Sequence, residues 1–299
     1  AFTHGTPQRP ADVAVGQSEQ EPQVLTALNE DLFGHKTLGT VEEFTYTSSH
    51  DGRDIEGWVV TPPDFDPDKE YPLLLEIHGG PFAAYGPYFS TEVQLYASAG
   101  YVVLYTNPRG STSYGQDFGN AIHHAYPGND YDDLMSGVDA VIDRGFIDTD
   151  RLYVTGGSGG GVLTAWIVGQ TDRFRAAVSA KPVINWYSWA LTADMYPYGI
   201  KYWFPGTPWE HTEHYMERSP ISLVGNVTTP TMLLTGTEDY RTPMSDSEQY
   251  YQALQYEGVE TALVRMRGAS HGIAARPSQL IAKVNYILAW FDRYGGPTP

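Results

Sequence analysis

The sequence predicts an α/β protein with a mostly parallel central sheet and helices on both faces. Two observations carry that expectation. From Leu73 onward, short β-branched and apolar runs alternate with longer runs of helical spacing. One junction between them, Leu152 to Trp166, reads "LYVTGGSGGGVLTAW", a strand entering a glycine turn that leaves as a helix. A flexible Gly/Ser linker would have polar, patternless neighbours, and this stretch has neither.

Taken in order, residues Ala1 to about Pro22 are polar, rich in Gly, Pro and Gln, and without periodicity, so they read as an extended arm. Val24, Leu25, Leu28 and Leu32 then suit a short helix ending at Gly34. The strands "EEFTYTSS" and "IEGWVVTP" face each other across the turn "HDGRD". Further strands are expected over 73–77, 101–105, 151–155, 176–180, 231–235 and 262–266. Helices are expected over 90–99, 131–144, 159–169, 245–256 and 277–294. The aromatic-rich stretch from Ile184 to Tyr215 interrupts the alternation and reads as a cap or pocket wall.

Composition narrows the function classes. The 299 residues, 41% of them hydrophobic, suffice for one large domain with a real core. A net charge of −18 runs against nucleic acid and anionic membranes as partners, since both call for a basic surface. No apolar run approaches the roughly 18 residues of a membrane span, and the residues after Ala1 do not read as a signal peptide. With Cys at 0, disulfides, thiolate metal sites and a cysteine nucleophile are excluded.

The turn Gly156-Gly157-Ser158-Gly159-Gly160 fits G-x-S-x-G, the sharp strand-to-helix turn that exposes a nucleophilic serine. Alone the pattern is weak, so it needs a base and an orienting acid elsewhere. In the α/β-hydrolase fold these follow in the order Ser, Asp or Glu, His, each past a strand end. "TMLLTGTEDYRTP" supplies Glu238 and Asp239, with Asp239 the better placed, and "TALVRMRGASHGI" supplies His271. The backbone N–H of Gly159 and, from "EIHGGPF", that of Gly80 are the candidate oxyanion donors. The adjacent His123 and His124 read as surface or packing groups rather than a metal pair. Asp130, Asp132 and Asp133 precede a helix and suit its N-terminal dipole. Trp186, Tyr187 and Trp189 are candidate walls of an apolar substrate pocket.

The motifs "LLLEIHGGP", "NPRGSTSYG", "DYDDLMSGVD", "GGSGGG", "TDRFRAAV", "ERSPI" and "GASHGI" stand in this order in the chain. Together they resemble the prolyl oligopeptidase family of serine peptidases, above all its acylaminoacyl-peptidase and dipeptidyl-peptidase-like branch. The resemblance implies a serine peptidase acting on short peptides near their N-terminus, with Ser158, Asp239 and His271 as triad and no metal or organic cofactor. A carboxylesterase using the same triad is the alternative. It further implies that Arg241 binds a substrate main-chain carbonyl. Relatives often carry bulky aromatics where this chain has Gly159 and Val162, which implies a specificity pocket walled by other residues. Residues 1–34 would be the end of a β-propeller whose remainder lies outside the chain, and 35–299 the catalytic domain. Self-association is left open.

Overall fold

The computed structural model describes residues 1–17 and 20–297. The chain begins with β1 (Phe2–Thr6), β2 (Arg9–Val15), β3 (Gln23–Val24) and α1 (Glu30–Phe33). Next come β4 (Thr40–Thr47), β5 (Asp54–Thr61), β6 (Tyr71–Ile77), α2 (Thr91–Ser98), β7 (Val102–Thr106), α3 (Gln116–Gly119) and α4 (Asp130–Ile142). The nucleophile region is β8 (Ile147–Gly157), α5 (Gly159–Val168) and β9 (Ala176–Ala180). Three short helices come after it, α6 (Trp186–Thr192), α7 (Tyr196–Tyr202) and α8 (Thr212–Glu217). The chain closes with β10 (Thr231–Gly236), α9 (Met244–Tyr256), β11 (Thr261–Met266) and α10 (Pro277–Asp292).

Eight strands form one sheet in the order β11-β10-β9-β8-β6-β7-β5-β4. The pairs β4–β5 and β5–β7 are antiparallel and the rest are parallel. Alternation along β6 shows why helices are needed on both faces. Leu73, Leu75 and Ile77 pack with Leu134 and Val138 of α4, Val162 of α5 and Leu254 of α9. Leu74 points the other way, with Tyr96 of α2 and Val284, Ile287 and Phe291 of α10. Strands buried on both faces read as continuous apolar runs, which is the pattern the sequence carries here.

Because β6, β8, β9, β10 and β11 are parallel, their C-terminal ends share one edge of the sheet. The segments after those ends therefore meet, although they are far apart in sequence. These are His78-Gly79-Gly80, Ser158, Lys181, Asp239 and the His271 loop.

The N-terminal residues depart from the expected arm. β1 and β2 form an antiparallel hairpin that β3 extends, making a separate three-stranded sheet. Asp12 organises it: its buried carboxylate accepts from Thr26 Oγ1 (2.8 Å) and Leu28 N (2.8 Å). Burial along β2 falls on Asp12 and Ala14, a polar and a small residue, so no apolar alternation marks the strand. The expected helix is also shorter, one turn at α1, with Val24 in a strand instead.

Candidate active site

Ser158 stands between β8 and α5 with φ 61° and ψ −118°. That left-handed backbone is uncommon for any residue with a side chain and costs about 1–3 kcal/mol. Two hydrogen bonds hold it: Ser158 N donates to Ala180 O (3.0 Å), and Ser158 O accepts from Val162 N (2.9 Å). The turn closes only because its glycines lack side chains. A Cβ on Gly160 would run into the Ile77 carbonyl at the end of β6. One on Gly159 would come within 2.9 Å of the backbone of Gly80.

His271, from the loop after β11, reaches back across the sheet edge. Its Nε2 lies 3.0 Å from Ser158 Oγ, and its Nδ1 lies 2.8 Å from Asp239 Oδ2. With Nδ1–H directed at the carboxylate, Nε2 is left to accept the serine proton. Asp239 also accepts from Thr242 N (2.9 Å), Arg241 N (3.0 Å) and Thr242 Oγ1 (3.1 Å). Burial pushes the Asp239 carboxyl up, but the bonds from His271 and Thr242 outweigh it and hold the group below the ordinary aspartate value. Asp239 is buried and its neighbour Glu238 is exposed, which separates the two candidate acids.

The segment after β6 brings Gly80 against Gly159. His78 shapes it, with Nδ1 2.6 Å from Gly79 O and Nε2 3.0 Å from Ser111 Oγ. Burial lowers the His78 pKa, so the ring is neutral and structural. Sequence reasoning passed over His78, since its partner Ser111 comes from the distant "NPRGS" segment. As first residue of α5, Gly159 has an N–H that the helix does not use. Gly80, Gly159, Ser158 and His271 all border one cavity of about 320 Å³.

That cavity is walled by Val162, Trp186, Trp189, Met195, Tyr198 and Trp203, with Phe82 and Val183 completing it. Trp186 and Trp189 are thus where they were expected, but as core as well as wall. Trp189 is 1% exposed, stacks on Trp203 at 5.6 Å and donates Nε1 to Arg241 O at 2.8 Å. Tyr187 is a correction. One helical position on from Trp186, it points away from the cavity and packs edge-on against Tyr215 at 6.4 Å. Phe82, Val183, Met195 and Trp203 were missed; only their closeness in sequence to Gly80, Lys181 and the aromatic stretch hinted at them. Arg241 lines the rim, its Nε 2.6 Å from Asp194 Oδ1 in an exposed ion pair. Such pairs contribute little, so the guanidinium can exchange partners.

The aromatic stretch is fastened at its start by Asp246 of α9, whose Oδ1 accepts from Ile184 N (2.9 Å) and Asn185 N (3.2 Å). Burial pushes this carboxyl up to about 7, against the pull of those two N–H groups. The retained proton therefore contributes stability that is full below about pH 4 and is lost as pH rises through about 7. Asp246→Asn keeps the acceptor oxygen without the charge. Its melting temperature relative to the parent should rise by about 2 °C or more between mildly acidic and mildly alkaline pH. Thermal melts at both pH values check this; a difference that does not change with pH would sink it.

The acidic cluster at α4 does more than face a helix dipole. Asp133 is buried against Arg109, with Nε–Oδ2 2.9 Å and Nη2–Oδ1 2.7 Å. His123 and His124 stack at 3.9 Å, and among the described residues no group of three or more His, Asp or Glu could hold a metal ion.

The model of the prolyl oligopeptidase family matches residues 87–298. The chain belongs to the prolyl oligopeptidase family. It is 42% identical over 296 residues to the Bacillus subtilis peptidase YuxL, covering 96% of this chain and 44% of that one. Dipeptidyl-peptidase 5 of Schizosaccharomyces pombe is 30% identical over 279 residues, with 90% and 40% covered. Among solved structures, Pyrococcus horikoshii acylaminoacyl peptidase superposes with a TM-score of 0.92 at 28% identity, with 99% and 48% covered. The chain thus spans less than half the length of each of these relatives. The family membership and the α/β-hydrolase fold agree with the motif resemblance.

Proposed function

We propose that the protein is a serine peptidase that hydrolyses short peptides near their N-terminus, releasing an acylated amino acid or a dipeptide. One observation carries the reading: Ser158 Oγ, His271 and Asp239 form a continuous hydrogen-bonded chain at the mouth of an apolar cavity. Ser158 Oγ attacks the scissile carbonyl while His271 Nε2 takes its proton, and Asp239 holds the imidazole and stabilises its cation. The Gly80 and Gly159 N–H groups receive the oxyanion. His271 then protonates the leaving amine, and water completes the cycle through the acyl-enzyme. The names of the two relatives support an N-terminal site of cleavage.

The cavity takes the side chain of the residue at the cleaved bond. Its wall is aromatic and aliphatic and its charged groups sit at the rim, so bulky apolar side chains are favoured over charged ones. On the same reading, residues 1–34 belong to the last blade of a β-propeller. Three short strands with exposed Phe2, Val24, Leu25 and Leu28 fall short of a four-stranded blade, and the relatives are about twice as long.

The test compares kcat/KM on an acyl-amino-acid anilide, a dipeptide anilide and a short acyl ester. Turnover of the ester alone would make the protein a carboxylesterase. Arg241→Ala sharpens the comparison. The freed guanidinium would donate to a substrate carbonyl beyond the scissile bond, a contact the ester lacks. Peptide substrates should lose about 10- to 100-fold, the range of a hydrogen bond to a charged group, and the ester far less. Equal losses on both would assign Arg241 to structure.

A further inference from the structure

We propose that Lys181 is a positioning residue of the triad, holding the His271 loop where its imidazole meets Ser158. The inference rests on the triad reading above.

Lys181 follows β9, the strand between those leading to Ser158 and Asp239. It has contacts to all three triad-bearing segments. Its ammonium donates to the His271 carbonyl at 2.7 Å. Its backbone N–H donates to Leu234 O at 2.7 Å, on the strand that leads to Asp239. The carbonyl just before it, Ala180 O, accepts from Ser158 N at 3.0 Å. Its Cε runs close under the nucleophile turn, 3.0 Å from where a Cβ on Gly157 would be.

The lysine backbone is itself unusual, with φ 43°, in the left-handed region that side-chain-bearing residues rarely adopt. Such a conformation persists where the surroundings over-determine it, and here it turns the side chain back beneath the active-site edge. Lys181 forms no ion pair among the described residues. Glu76 on β6, whose Oε2 is buried without a hydrogen-bond partner, is held above the ordinary glutamate value by burial and by Glu92. The two side chains make no ion contact, and the ammonium is directed at His271 O instead. A partly buried ammonium without a carboxylate partner is costly, and its hydrogen bond goes to the backbone of His271.

The imidazole is held at Nδ1 by Asp239, which fixes the ring's tautomer and one end of its plane. The height of the ring above Ser158 depends on the backbone of residue 271. Its carbonyl takes part in no backbone–backbone hydrogen bond among the described residues and is held by Lys181. Loss of that donor lets the loop ride away from the nucleophile while the acid–base pair stays made.

The test uses the full chain, an acyl-amino-acid anilide, and Lys181→Met and Lys181→Arg. Lys181→Met keeps most of the stem but not the donor. Its kcat should fall by between about 10- and 10²-fold, the scale on which displacements of up to 1 Å act, with KM changed less than about twofold. Lys181→Arg, which can still donate to the carbonyl, should recover most of the rate. In proton NMR, the low-field signal of His271 Nδ1–H should persist in Lys181→Met but broaden as the loop loosens. A kcat for Lys181→Met within about twofold of the parent, with that signal unchanged, overturns the proposal, as does an Arg variant no better than the Met variant. Should Lys181→Met fail to fold, Lys181→Leu, which also lacks the donor, takes its place: a rate below that of Lys181→Arg supports the role, and equal rates overturn it. A parent chain not labelled at Ser158 by a fluorophosphonate fails on the triad reading itself, whatever the lysine variants do.

Discussion

Ser158→Ala is expected to lower turnover by about 10⁶-fold, the loss that commonly accompanies removal of a serine nucleophile, with little change in stability. The hydroxyl's partner is His271 Nε2, and the turn's own hydrogen bonds run through the backbone of residue 158, so alanine keeps them. Both residues carry a Cβ and meet the same cost at φ 61°. The aromatic cavity and the Gly80 and Gly159 donors stay in place, so substrate still binds and some rate above the uncatalysed reaction remains. The measurement is kcat on an acyl-amino-acid anilide, with the melting temperature recorded alongside. Retention of more than a few per cent of the parent activity would overturn Ser158 as nucleophile.

The fold was legible wherever a strand is buried on both faces. β6, β9 and β10 are mostly apolar and buried, as is β8 from Leu152 to Val154, and their expected and observed limits differ by a few residues at most. The candidate triad was legible for a related reason: in parallel strands, the residues just past each run land on one edge, so order along the chain converts into proximity. Legibility ended where polar contacts replaced apolar patterning. β2 buries Asp12 and Ala14, and its hairpin depends on carboxylate bonds that no hydrophobic period signals. The side chains of His78 and Lys181 each make one long-range hydrogen bond, to Ser111 and to the His271 carbonyl, and each resembles an ordinary polar residue in sequence. The aromatic stretch was readable as a region but not residue by residue. α6 turns Trp186 and Trp189 inward and Tyr187 elsewhere, and the two tryptophans serve as core and cavity wall at once. A pocket beside a sheet edge is lined by the outermost layer of the core, so one side chain can be both.

Asp239→Asn is expected to lower turnover by about 10⁴-fold and leave the chain folded. The amide's Oδ1 can still accept from Thr242 N and Arg241 N, so the turn after β10 keeps its main restraints. The change falls on the group facing His271 Nδ1 at 2.8 Å. A carboxylate accepts there, whereas the amide's NH₂ donates, and a donor opposite Nδ1 favours the imidazole protonated at Nε2. The ring then directs a hydrogen at Ser158 Oγ and has no lone pair with which to take its proton. The same exchange changes stability with pH. Asp239 is held below its ordinary pKa, so its contribution is present above about pH 4 and is lost as pH falls through the folded-state value. The asparagine variant lacks that dependence, and the stability deficit of the variant should shrink in acid. Glu238→Gln is the control. Glu238 is exposed beside the same turn, and the change should alter kcat by less than about twofold. If Glu238→Gln were instead the more damaging of the two, the acid would be Glu238, and the buried contacts of Asp239 would have only a structural meaning.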